Sequence, residues 1–156
     1  MPDIEDVKAY LARGGVEVWQ YEQSTPTAEL AAVAVGCCAA EIAKSLLFFV
    51  GGKPLLVVTC GDMKVKSSLL KLEAKLSGKV KLPEPEEVKS ITGYAPGGVC
   101  PFLLPAQLPV FLDRSLCRYD QVYTAAGDAG SAVPIAPVQL AELSAGRWVD
   151  VCVKRG

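Results

Sequence analysis

Apolar residues fall near helical spacing at Ile4, Val7, Ala9, Tyr10 and Leu11, and Gly14-Gly15 follows, which predicts an amphipathic helix at the head of the chain. The alternation in Val16-Glu17-Val18-Trp19 reads as a strand. Thr25-Pro26-Thr27 is a capping signal with proline just inside the start, and predicts a helix to about Val35. Ala39-Ala40-Glu41-Ile42-Ala43 reads as a short helical turn running into Lys44. Two nearly continuous apolar runs, 45–50 and 54–59, come next, joined by Gly51-Gly52-Lys53. Glycines between such runs signal a hairpin, and the unbroken apolarity predicts central strands.

Further along, Leu69, Leu72 and Leu76 share one side of a helix predicted over 67–77, with Lys71 and Lys75 on another. A short strand is expected over 80–82. Pro83 and Pro85 then lead into a helix ending near Ile91, with Glu84, Glu86 and Glu87 at its positive end. Residues 92–107 are dense in glycine and proline yet remain apolar, the mark of a structured loop rather than a linker. Strands are expected over 110–112, 121–124, 133–135 and 148–151, and a helix over 137–143. No repeat, low-complexity tract or linker interrupts the series, so residues 1–156 read as a single domain.

Composition narrows the chemistry. There is no histidine, which removes Ser-His-Asp and Cys-His catalysis and histidine-bound zinc or haem. No metal or cofactor is expected. The formal net charge of −1 hides an uneven distribution: residues 1–43 carry seven acids against Lys8 and Arg13, whereas residues 53–81 carry seven lysines against Asp62 and Glu73. Such a basic segment can attract phosphate, and it can equally be a solvated helix face. The six cysteines form no C-x-x-C pair, and the acidic Met-Pro-Asp-Ile-Glu-Asp start lacks the basic region of a secretory signal. Reduced thiols in a cytoplasmic protein are the expectation. The longest uncharged apolar stretch, residues 30–40, is too short to span a bilayer.

Three features could carry chemistry. Lys44 is a lone amine beside a buried strand, placed to meet an anion or to lose its proton easily, or else an ordinary strand-edge lysine with its stem along the surface. In Gly97-Gly98-Val99-Cys100-Pro101, paired glycines let backbone N–H groups approach a ligand and stabilise a carbonyl oxygen as it gains charge; an irregular turn is the plainer reading. Ala126-Gly127 lies at the end of a predicted strand.

Together with Ile42-Ala43-Lys44-Ser45-Leu46, Gly61-Asp62, Thr92-Gly93-Tyr94 and Leu108-Pro109-Val110, these residues stand in an order that resembles the aminoacyl-tRNA editing domain family. That family includes the prolyl-tRNA synthetase insertion domain and free-standing deacylases of the YbaK type. The resemblance runs from about Val16 to Val151. It implies a mixed α/β domain, with a bent, barrel-like mixed sheet flanked by helices. It also implies hydrolysis of the ester joining a wrong amino acid to tRNA, commonly alanine or cysteine on tRNA(Pro), with prolyl-tRNA synthetase as an associated enzyme.

On that resemblance, Lys44, Gly97 and Gly98 carry the reaction. Ser45, Thr92, Tyr94, Cys100, Pro101, Ala126 and Gly127 bind the substrate, and Lys64, Lys66, Lys71 and Lys75 hold the acceptor stem. An aminoacyl ester is already activated, so positioning and oxyanion stabilisation can suffice without histidine. The chain departs from the pattern at four places. Cys100 replaces the usual serine, Leu103 stands where glycine is common, and Ala132 where cysteine-specific members carry aspartate. Ser45 replaces the asparagine typical of alanine-specific members. Two alternatives remain at this level: a catalytically silent tRNA-binding module, and an enzyme using Cys100 as nucleophile with Lys44 or a carboxylate as its base.

Overall fold

The structure, a computed structural model, describes residues 2–21 and 28–154. In chain order its elements are α1 (Ile4–Ala12), β1 (Trp19–Gln20), α2 (Ala28–Val35), β2 (Ile42–Val50), β3 (Lys53–Cys60), β4 (Met63–Val65), α3 (Ser67–Ala74), β5 (Val80–Lys81), α4 (Pro85–Thr92), β6 (Val110–Asp113), β7 (Val122–Thr124), β8 (Ser131–Ile135), α5 (Pro137–Ser144), β9 (Arg147–Val149) and β10 (Cys152–Lys154). The fold is mixed α+β, as expected.

The central hairpin dominates. β2 and β3 pair antiparallel from Ala43↔Cys60 to Val50↔Lys53. Gly51 and Gly52 turn the chain with φ of 58° and 83°, the left-handed values that a two-residue turn matching the strand twist needs at both positions. Successive side chains point to opposite faces. Ala43 and Leu47 of β2 and Leu56, Val58 and Cys60 of β3 join one core with Val7 and Leu11 of α1, Leu140 of α5, Tyr94 and Phe102. Phe48, Val50, Leu55 and Val57 join another, against Leu70 of α3. Both faces are buried, which is why the two strands read as unbroken apolar runs.

Along one edge, β3 accompanies β2 for nearly its whole length. On the other edge, β7 joins in parallel at Ile42 and Ala43, and β5 joins antiparallel at Phe49 and Val50. Residues 44–48 lie between these pairings with no strand on that edge among the described residues. The whole path runs β1-β8-β7-β2-β3-β6-β9. Its end strands are not paired with each other, so the pairing does not confirm the barrel-like closure that the resemblance implied.

Several expectations are corrected. Residues 39–43 are not one helical turn: a 3₁₀ turn covers Ala39–Glu41 and the strand already begins at Ile42, so Lys44 is its third residue. The strand expected over 16–19 is reduced to Trp19–Gln20, paired with β8 at Ala132 and Ser131. The helix over 67–77 ends at Ala74, because Lys75 takes a left-handed conformation, φ 56°. Its buried residue is Leu70, and Leu72 is 74% exposed. The cap expected at Thr25-Pro26-Thr27 lies outside the described residues. The strand expected over 148–151 is β9, which ends at Val149, and a further strand beyond it, β10, pairs with β4 in a separate two-stranded sheet. No helix among the described residues is long and apolar enough to cross a membrane.

The break between β9 and β10 has a visible cause. Asp113, 3% exposed at the end of β6, accepts the N–H of Val151 at 2.9 Å and that of Ser115 at 3.1 Å. Asp113→Ala leaves two backbone donors unpaired, and at about 1–3 kcal/mol for each orphaned group it should destabilise the protein by roughly 2–6 kcal/mol. Urea denaturation checks this. An unchanged midpoint would mean that water replaces the carboxylate at no cost.

Candidate functional site

A cavity of about 150 Å³ opens where β7 parts from β2. An engineered protein cavity of that size holds benzene, so only a small group fits. Strand alternation divides its walls. Lys44 shares a face of β2 with Ile42 and Leu46; Ser45 shares the opposite face with Ala43 and Leu47. In the parallel β2–β7 register Tyr123 lies beside Ile42 and Thr124 beside Ala43. One side of the cavity is therefore formed by Lys44 and Tyr123, and the other by Ser45 and Thr124. Gly97 and Val99 complete the lining together with several alanines. Lys44 is half-buried and is engaged in an interaction with another group.

The two glycine-containing loops meet at this cavity. A Cβ on Gly98 would lie 2.6 Å from Asp128 Cα and 2.9 Å from both Asp128 N and Gly127 O. No side chain can occupy that position while the loops stay in contact. Tyr94 packs from below: a Cβ on Gly127 would come within 3.2 Å of its ring, and its hydroxyl donates to Phe102 O at 2.6 Å. The Thr92 hydroxyl donates to Val88 O at 2.7 Å at the end of α4 and accepts the N–H of Tyr94 at 3.1 Å. The second loop is tied by Ser131, whose Oγ donates to Asp128 O and accepts the N–H of Ala126. Leu103 takes φ 55°, keeping a left-handed backbone at the position where glycine is common.

These positions separate the expected site residues into groups. Lys44, Ser45 and Gly97 line the cavity. Gly98, Ala126 and Gly127 do not line it: Gly98 meets Gly127 and Asp128 in the loop contact that borders it, and Ala126 is buried in the core. The expectation that Gly98 offers its N–H to an ester is corrected: that N–H donates to Ala95 O at 3.0 Å. Thr92, Tyr94, Cys100 and Pro101 are buried beneath the loop, away from the cavity lining. Cys100 is fully buried with its thiol toward Phe102 O, and burial pushes its pKa up to about 11. At neutral pH such a thiol carries almost no thiolate, the form that acts as a nucleophile. The Cys100 enzyme loses its basis.

Lys64 lies on β4, Lys66 caps the start of α3, Lys71 lies within that helix and Lys75 ends it; none lines the cavity. The helix that carries Lys71, and that Lys66 and Lys75 bound, covers the face of β2 to which Lys44 belongs. α3 packs through Leu70 on the face of β2 that carries Phe48 and Val50, and Lys44 is on that same face by alternation. Asp62 holds Arg118 through two hydrogen bonds, 2.7 and 3.0 Å, and this contact keeps its carboxyl below the usual range.

Thr124 was not anticipated, although its place two residues before Ala126-Gly127 was a usable signal. Trp19 also escaped notice: its ring lies 6.0 Å from that of Tyr123, which lines the cavity. No cluster of potential metal ligands is present among the described residues.

Comparison with known proteins bears on this geometry. Residues 22–143 match the family model of the aminoacyl-tRNA editing domain. YwhH of Bacillus subtilis (strain 168), an uncharacterized protein, is 38% identical over 138 residues, 87% of each chain. EbsC of Enterococcus faecalis (strain ATCC 700802 / V583), described as a candidate Cys-tRNA(Pro)/Cys-tRNA(Cys) deacylase, is 30% identical over 82% of this chain and 78% of its own. A crystal structure described as a candidate trans-editing enzyme for prolyl tRNA synthetase superposes with a TM-score of 0.87 at 30% identity, covering 100% of this chain and 99% of that one.

The loop contact generates two expectations. Gly98→Val should lower the melting temperature and disrupt the cavity, because backbone rather than a flexible side chain blocks the new atoms. Cys100→Ser should leave the cavity intact. It should also remove one component of alkaline instability. A thiol whose pKa is raised from 9.0 to about 11 on folding stabilises the protein fully below pH 9, and loses that contribution as pH rises through about 11. The difference between wild-type and Cys100→Ser unfolding free energies, followed from pH 8 to 11.5, measures it; no change across that range would contradict the assignment.

Proposed function

Because the chain belongs to the aminoacyl-tRNA editing domain family, we propose that it is a trans-acting deacylase that hydrolyses mischarged tRNA. The tRNA is tRNA(Pro), and prolyl-tRNA synthetase is the enzyme whose errors it corrects. The observation that carries this reading is the meeting of Lys44 and the two glycine loops, distant in sequence, around one small cavity. Water adds to the ester carbonyl, the tetrahedral intermediate collapses, and the free amino acid and the 3′-terminal hydroxyl of the tRNA are released.

Lys44 supplies a compact positive charge that orients the ester or holds the terminal ribose-phosphate, and it is not a nucleophile. The loop at Gly97 brings backbone close to the reacting carbonyl, where fixed dipoles can stabilise developing charge. No histidine is required, because the ester is activated and its positioning supplies much of the rate. The alanine-rich lining admits a small acyl side chain; alanine and cysteine both satisfy that limit. The lysines on β4 and α3 grip the acceptor stem. These reactions place the protein in the cytoplasm.

A panel of tRNAs carrying different amino acids tests the reading. Small acyl groups should be released well above the spontaneous rate and bulky aromatic ones should not. Retained tRNA binding with no release of any amino acid would identify a silent binding module instead. Simultaneous replacement of Lys64, Lys66, Lys71 and Lys75 by alanine should weaken tRNA binding, and each lost phosphate contact should flatten the log–log salt dependence by about 0.7–0.9. An unchanged affinity and slope would show that this surface is only solvated.

A further inference from the structure

Ser45 Oγ and Thr124 Oγ1 are buried and have no hydrogen-bond partner among the described residues. Buried hydroxyls in native proteins are almost always paired, so an orphan needs an explanation. These two are neighbours. Thr124 lies beside Ala43 in the β2–β7 register, and Ser45 is two residues beyond Ala43 on the same face of β2. Both residues line the Lys44 cavity. The other two hydroxyl residues of the lining differ: Tyr123 lies on the Lys44 side of the sheet, and Ser131 has its Oγ engaged within the second loop. Two unpaired hydroxyls thus adjoin an alanine-walled space too small for a large group.

We propose that Ser45 and Thr124 form a side-chain subsite selective for a small hydroxylated amino acid, so that a seryl ester is preferred to an alanyl ester. This rests on the reading of the cavity as the place where the aminoacyl ester binds. A serine hydroxyl donates one hydrogen bond and accepts others, so it satisfies both residues together. The methyl of alanine satisfies neither and leaves two buried groups unpaired in the complex. A thiol is a weaker donor and acceptor, so a cysteinyl ester falls between them. An α-ammonium bound at the same hydroxyls would behave differently, because every amino acid carries one and no preference would follow.

The test compares kcat/KM for one tRNA carrying serine, alanine or cysteine, in the wild type and in Ser45→Ala and Thr124→Val. Both substitutions remove a hydroxyl with little change of volume, and deleting an orphan should leave the melting temperature unchanged or raise it. The wild type should favour serine over alanine by at least about tenfold, since a site built for a substrate hydroxyl rejects the analogue that lacks it. In either variant that ratio should fall toward one. A wild type that favours alanine, or variants that slow both substrates equally, would overturn the proposal.

Calorimetric binding of the 3′-seryl and 3′-alanyl amides of 3′-amino-3′-deoxyadenosine separates this from the hydrolytic reading. Tighter binding of the seryl amide, lost in the variants, upholds the subsite even if no tRNA is turned over, and then only the hydrolase assignment falls. Equal binding of the two amides, or binding of neither, overturns the subsite whatever the turnover.

Discussion

Among the described residues one edge of β2 is paired only at its two ends, and the candidate site occupies the interval between them. The strand cannot move to close that interval. Its other edge is committed to β3 over eight register positions, and its side chains are locked into cores on both faces. A one-residue slip would send every apolar side chain to the wrong face. The rigid hairpin therefore presents Lys44 to one side of the opening and Ser45 to the other. β7 diverges after Ala43↔Thr124, which leaves the space unfilled.

The opposite wall depends on close backbone contact. The loops around Gly97-Gly98 and Ala126-Gly127 approach until the hydrogen of Gly98 faces Asp128 Cα. Beneath them, Thr92, Tyr94 and Phe102 bind α4 to the first loop, while Ser131 and Asp128 close the second. Residues distant in sequence thus serve one purpose in two ways. Lys44, Ser45 and Gly97 face the cavity, and the Thr-Gly-Tyr segment holds the loop in place. Rigid support of this kind is what lets a few backbone groups keep a productive geometry.

Much of this was legible in the sequence, because the strongest local signals agree with the tertiary structure. The Gly51-Gly52 hairpin, the helices starting at Pro85 and Pro137, and the structured 92–107 loop each carry their own turn chemistry. What could not be read depends on long-range pairing. β4 and β10 are three residues each and exist because Asp113 redirects the chain at Val151. Leu70 is buried and Leu72 exposed because α3 turns its Leu70 side onto Phe48, Val50, Leu55 and Val57 of the hairpin. At the site, the motif residues were identifiable but their roles were not. Gly98 gives up its N–H to a turn, Cys100 lies in the core, and Thr124 enters only through its register with β2.

In the proposed reading the reaction takes place at the parting of β2 and β7, with Lys44 as its one essential charge. Single-turnover hydrolysis of a mischarged tRNA by Lys44→Ala, alongside its tRNA affinity and melting temperature, tests this most directly. The rate should fall by about 10²-fold or more, the scale of losing one fixed electrostatic contact to a developing charge. Affinity and melting temperature should stay close to wild type, because the proposed reading assigns the grip on tRNA to the lysines of β4 and α3 and the hairpin does not need the amine. An unchanged rate would remove Lys44 from the reaction and place the site elsewhere.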